Sequence, residues 1–143
     1  MEWQEFALRT GLAAVAGLLI GLERELKGKN AGLRTNCLVA LGSCVFILLS
    51  LRFYNDDNVD ITRVLGQVVV GIGFIGAGTI LQHGKNVKGL TTAATAWCSA
   101  AVGSIAAFGL YQELAVISLF ILAINLGFSA FEKKVLKDKP DEE

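Results

Sequence analysis

The 143-residue sequence contains one histidine, one proline and three cysteines. His83 stands alone in a basic loop with no second His or Cys at ligand spacing, so it reads as solvated rather than metal-bound. Cys37, Cys44 and Cys98 lie inside apolar runs and form no C-x-x-C pair, which argues against a zinc or redox motif and for small apolar filler. There is no nucleophile–base pair and no phosphate-binding glycine loop, so neither an enzyme nor a cofactor is expected. An excess of one charge is missing as well. Thirteen basic and thirteen acidic residues cancel, and nothing in the balance points to nucleic acid. The opening Met1-Glu2-Trp3-Gln4-Glu5 lacks the basic stretch and cleavage site of a secretory signal. The first apolar run is therefore expected to stay in the protein, with Trp3 as an interface anchor.

What the chain has in plenty is apolar surface: 53% of residues are hydrophobic and 18% charged, and the mean hydropathy is +0.55. That is too apolar for an ordinary soluble domain. Five segments, Phe6 to Leu22, Cys37 to Leu51, Val64 to Leu81, Leu90 to Phe108 and Leu114 to Phe131, are each close to the ~20 residues that cross a bilayer as a helix. The second is short unless Leu33 to Thr35 and Arg52 to Tyr54 extend it. The expected fold is all-α, a polytopic membrane protein with five transmembrane helices over residues 1–132 and a short charged tail over 133–143.

Charge placement orients these spans. Ten basic residues fall between spans one and two, between three and four, and after five, against Arg9, Arg52 and Arg63 on the other side. The positive-inside rule then puts the N-terminus outside and the C-terminus in the cytoplasm, with the acidic loop Tyr54 to Asp60 external. Gly28-Lys29-Asn30-Ala31-Gly32-Leu33-Arg34-Thr35 recurs, with one residue inserted, as Gly84-Lys85-Asn86-Val87-Lys88-Gly89-Leu90-Thr91-Thr92. Two parallel helical-hairpin repeats plus one helix would explain this; so would two turns that each end one helix with Gly and cap the next with Thr.

The third run is dense in glycine, with Ala77 beside them, and Gly66, Gly71, Gly73, Gly76 and Gly78 would each weaken a helix in water by roughly 1 kcal/mol against Ala. In a membrane they allow backbones to approach, so this helix is expected at the centre of a bundle. Gly17 and Gly21, with Ala13, give the first helix a similar face. Ala93, Ala96, Ala100, Gly103 and Ala107 do the same for the fourth.

No Asp, Glu or Lys falls inside a span, whereas Mg2+ favours carboxylate and water oxygens and proton relays need ionisable groups at depth. Which metal, if any, the chain binds is open on these residues. Gln67 and Asn125 are the costly buried amides, fit either for interhelical hydrogen bonds or for a transport site. Glu23, Arg24 and Glu25 end the first helix where its dipole disfavours carboxylates. Either Arg34 pairs with Glu23 and clamps the loop, or the group is a solvated headgroup-level cluster. Asp60 is placed to cap the third helix, followed by Arg63 and Gln67.

Gly21-Leu22-Glu23-Arg24-Glu25, Ala31-Gly32-Leu33-Arg34-Thr35, Asp60-x-x-Arg63-x-x-x-Gln67, Gly71 to Gly78 and Gly89-Leu90-Thr91-Thr92-Ala93-Ala94 with Trp97 together resemble the N-terminal membrane domain of the MgtC/SapB family. The likeness runs from about Leu8 to Phe131. It implies a bacterial inner-membrane, multi-pass protein associated with growth under magnesium limitation and, in some pathogens, with virulence. Longer members carry a soluble C-terminal domain that this sequence does not include. The expected function is a regulatory or stress-adaptation factor that acts through membrane helix packing, with transport of a divalent cation or small solute as the alternative. The expected partners are the lipid bilayer, a second copy in a homodimer, and another membrane protein.

Overall fold

The computed structural model describes residues 1–53, 60–84 and 86–135. The loop 54–59, Lys85 and the tail 136–143 lie outside the described residues, as do the side chains of His83 and residues 128–135. Five helices follow in order: α1 Trp3–Leu26, α2 Leu33–Arg52, α3 Ile61–Thr79, α4 Leu90–Ala107 and α5 Tyr111–Val135. The protein is an all-α polytopic membrane protein. α1 to α4 are long and apolar enough to cross a bilayer, and α5 carries the shorter apolar stretch Tyr111–Gly127.

The helices run past the apolar segments because backbone hydrogen bonding continues into the interface. α2 opens at Leu33, which removes the shortfall of the second run: its 20 residues span about 30 Å. α3 stops at Thr79, because Ile80 turns to extended backbone. Leu81 then enters an antiparallel hairpin, β1 Leu81–His83 against β2 Asn86–Lys88, a feature the apolar pattern did not announce. Gly89 follows with φ 93°, a left-handed conformation that favours glycine, and a Cβ there would meet the Thr79 carbonyl oxygen at 2.0 Å.

The centre of the bundle is α4, not α3. α4 packs against each of the other four helices. Its Thr95, Ala96, Ser99, Ala100, Val102, Gly103, Ser104 and Ala106 are buried on several sides, because none has a side chain larger than valine. α3 buries only Ile72 and Gly76 and turns Val69, Val70, Phe74 and Ile75 outward. Glycine density therefore marks an outer helix here. The tight seams are elsewhere. A Cβ on Gly17 would lie 2.7 Å from the Asn36 carbonyl oxygen, one on Gly21 2.7 Å from Leu33 Cα, and one on Gly103 2.0 Å from the Ala40 carbonyl oxygen. These three glycines let α1 and α4 touch the backbone of α2. Ile20, Cys44, Ile47, Leu48 and Val102 fill the space between as the main apolar core.

The two similar loops correspond where the following helix starts, since α2 and α4 both open on the leucine after the glycine, Leu33 and Leu90. They differ in the connection. Gly32 has φ −82° and ψ −145° at the end of an irregular turn, whereas Gly89 is left-handed and follows the hairpin.

Candidate functional site

The Glu23-Arg24-Glu25 run gathers buried charge at the end of α1. Glu23 and Arg24 are only 6% and 4% exposed. They are covered because Gly21 brings the α1–α2 connection down onto the helix. Arg24 Nη2 donates to Thr92 Oγ1 at 3.0 Å, tying α1 to the first turn of α4. The Lys27 ammonium lies 2.7 Å from Glu23 Oε1 and donates to the Asn125 carbonyl oxygen at 2.7 Å, tying α1 to α5. Glu25 turns to the other side, where its Oε2 accepts from the Leu33 N–H at 3.2 Å and caps α2. Glu25 thus relieves the N-terminus of the next helix, where the dipole favours a carboxylate.

Glu23 does not pair with Arg34. α1 continues through Leu26, which places Lys27 one turn beyond Glu23 on the same face. Arg34 is exposed in the first turn of α2, and no carboxylate lies within 4 Å of it among the described residues. The clamp on this loop is made by Lys27 and Glu25 instead. Among the described residues it is incompletely satisfied: the ammonium offsets the charge of Glu23 without hydrogen-bond alignment, Oε2 has no partner, and Arg24 Nε and Asn125 Nδ2 are also buried without one. A buried charge left this way makes the arrangement sensitive to loss of either partner.

Asn36 forms a second lock. Fully buried, it donates from Nδ2 to the carbonyl oxygens of Ala31 (2.6 Å) and Gly32 (3.0 Å), and its Oδ1 accepts from Ser99 Oγ at 2.8 Å. One amide thus fixes the α1–α2 turn and joins α2 to α4. Asn36 is not among the site residues expected from the sequence, and Lys27 enters there only as one of the basic residues between the first two spans. The available signal was an amide one position after Thr35, at the start of an apolar run, where it must find partners inside the protein.

Arg34 and Thr35 on α2 and the sequence-distant Gln67 on α3 line one groove between these helices with Ser43, Gly42 and Gly71. Its volume is about 710 Å³ and its walls are mainly apolar. The remaining candidates sit apart from both clusters. Asp60 caps α3 as expected, its Oδ1 accepting from Thr62 N (2.9 Å) and Thr62 Oγ1 (2.6 Å), and these bonds hold its carboxyl below the ordinary value. Arg63 is exposed, and so is Thr91, whose carbonyl accepts from Thr95 Oγ1. Of the helix-packing residues, Gly17 and Gly21 are in tight seams and Gly76 touches Ala93, while Gly71, Gly73 and Gly78 meet nothing within 4 Å of a built Cβ among the described residues and Ala77 is exposed. At the far end of α1, Arg9 pairs with Glu5 and donates to the Ala107 carbonyl, closing the end of α4.

A profile described as the MgtC family matches residues 11–134. Protein MgtC of Brucella abortus (strain 2308) is 48% identical over 128 residues, covering 87% of this chain and 53% of the relative. Protein MgtC of Salmonella typhimurium (strain 14028s / SGSC 2262) is 46% identical over 114 residues, covering 80% of this chain and 48% of the relative. The protein named putative magnesium transporter YhiD in Escherichia coli (strain K12) is 46% identical over 114 residues, 76% of this chain and 53% of its own length. The chain spans about half the length of these curated relatives. No solved structure matches it. The profile covers most of the chain, and the residues it covers include both clusters and the groove: the chain belongs to the MgtC family.

Proposed function

We propose that the chain is a regulatory or stress-adaptation factor of the bacterial inner membrane, tied to growth under magnesium limitation, that acts through helix packing rather than by carrying the ion. The observation that carries this reading is the outer face of α3. Gly66, Val70, Gly73 and Ala77 repeat at helical spacing along one side and are all exposed, and a Cβ at Gly66 or Gly73 would have no neighbour within 4 Å among the described residues. In a bilayer such a small-residue face is suited to close approach by another helix. A homodimer with α3 against α3 is the simplest closed assembly. The magnesium link rests on the relatives' names, one of which is a putative magnesium transporter. The N-terminus lies outside and the C-terminus in the cytoplasm, as the basic residues favour.

The second reading, transport of a divalent cation or small solute, is favoured by the buried Glu23 carboxylate, which has an oxygen without a partner among the described residues. One comparison separates the two. Gly73→Leu, which fits the isolated chain, should abolish rescue of a strain lacking its own copy at low magnesium while leaving the melting temperature of the purified protein unchanged. Proteoliposomes holding a magnesium-sensitive dye should show no influx above empty vesicles. Influx that disappears in Glu23→Gln would establish transport instead.

A further inference from the structure

We propose that the groove between α2 and α3 is the seat of one anionic phospholipid, its phosphate on Arg34 and an acyl chain lying along the groove. The groove exists because Gly42 and Gly71 face it with nothing within 4 Å of either built Cβ among the described residues, so the two helices part where they would otherwise meet. From Thr35 to Phe46 the α2 wall runs about 17 Å at 1.5 Å per residue. One leaflet of the hydrocarbon core is about 15 Å deep. The groove therefore has the length of one acyl chain in one leaflet, and Leu38, Val39, Phe46, Val68 and Ile72 line it with apolar surface.

Charge says what the head of this chain carries. Arg34 stands at the end of the groove where α2 enters the membrane, exposed and with no carboxylate within 4 Å among the described residues. Glu25 is occupied in capping Leu33. Thr35 lines the same end, and the Arg34 and Thr35 N–H groups belong to the first turn, where the helix dipole is positive. A guanidinium, a hydroxyl and a helix start at headgroup depth, above an apolar slot, complement a phosphodiester with an acyl tail. The groove and the proposed dimer face are separate, since Gly71 and Gly73 lie about 200° apart around α3. The lipid proposal does not depend on the dimer.

The test is native mass spectrometry of the protein purified from membranes, then titrated with phosphatidylglycerol or phosphatidylethanolamine. The expected result is one phosphatidylglycerol bound per chain, with at least tenfold preference over phosphatidylethanolamine. Arg34→Gln should weaken it about tenfold, and Gly42→Leu, which fills the slot and keeps the charge, should do the same. Arg63→Gln, an equal loss of charge on α3, the other helix that lines the groove, but outside the groove, should bind as the unmodified protein does. Equal affinity for both lipids, binding unaffected by Arg34→Gln or by Gly42→Leu, or competition by glycerol phosphate as strong as by the lipid would each overturn the proposal. A doubled mass that Gly42→Leu abolishes would give the groove to a second copy and overturn it as well.

Discussion

Gly103→Ala adds one carbon at the closest contact between α2 and α4. The new Cβ would lie 2.0 Å from the Ala40 carbonyl oxygen, 2.7 Å from its carbon and 2.9 Å from its Cα. All three are backbone atoms, so no side chain can rotate away. Reaching ordinary van der Waals contact means parting the helices by more than 1 Å at this level. One turn away on the same two helices, Ser99 Oγ and Asn36 Oδ1 are 2.8 Å apart, and such a shift stretches that bond past a useful length. Overpacking costs about 1–3 kcal/mol, and the lost buried hydrogen bond about 1 kcal/mol more. The gain in helix propensity on replacing Gly with Ala returns roughly 1 kcal/mol. The expected net loss is about 1–3 kcal/mol. Gly11→Ala provides the contrast, because a Cβ there meets nothing within 4 Å, and it should be neutral or slightly stabilising. Thermal unfolding followed by circular dichroism in mild detergent reads both. If Gly103→Ala melts with the unmodified protein, or Gly11→Ala is the more damaging change, the placement of α4 against α2 is wrong.

Glu23 and Lys27 should show a coupling of about 1–3 kcal/mol in a double-mutant cycle with Gln at each position, less than a fully buried pair because the Lys27 side chain is 24% exposed. The cycle of Glu23 with Arg34 should be additive within about 0.5 kcal/mol; the opposite ranking would restore Arg34 as the partner. For topology, impermeant thiol labelling from outside should reach a cysteine placed at Arg63 and miss one at Asn86, and the reverse pattern would invert the orientation. The Thr62 hydroxyl holds Asp60 below its ordinary 3.8, so the cap's contribution is complete above that unfolded value and fades as pH falls through the lower folded one. Hydrogen exchange at the start of α3 should therefore rise on acidification in the unmodified protein, and be high and pH-insensitive, after correction for intrinsic exchange, in Asp60→Ala.

The helices were legible because apolar runs of this length have few other uses, and the caps and tight seams at Asp60, Gly17 and Gly21 were legible because each answers a local geometric need. Which helix stands at the centre was not. A glycine shows that a close approach is permitted, but only the partner shows that it happens, and the same spacing serves the outer face of α3 as well as a buried one. The Ala93 to Ala107 stripe did carry the information, since a helix without large side chains can be surrounded. The partner of Glu23 was missed for a different reason. Apolar periodicity ends at Leu22, whereas the hydrogen-bonded helix runs on to Leu26 and so moves Lys27 from a loop to the same face as Glu23. The hairpin at Leu81–Lys88 has strands of three residues, too short for an alternating pattern to register.

Cysteine cross-linking along α3 in native membranes tests the central claim most directly, that this helix presents its small-residue face to a second copy. In a chain with Cys37, Cys44 and Cys98 replaced by Ala, single cysteines at Gly66, Gly73 and Ala77 should oxidise to a disulfide-linked dimer, while one at the buried Ile72 should not. Monomer at all three outer positions, or equal cross-linking at Ile72, would contradict it.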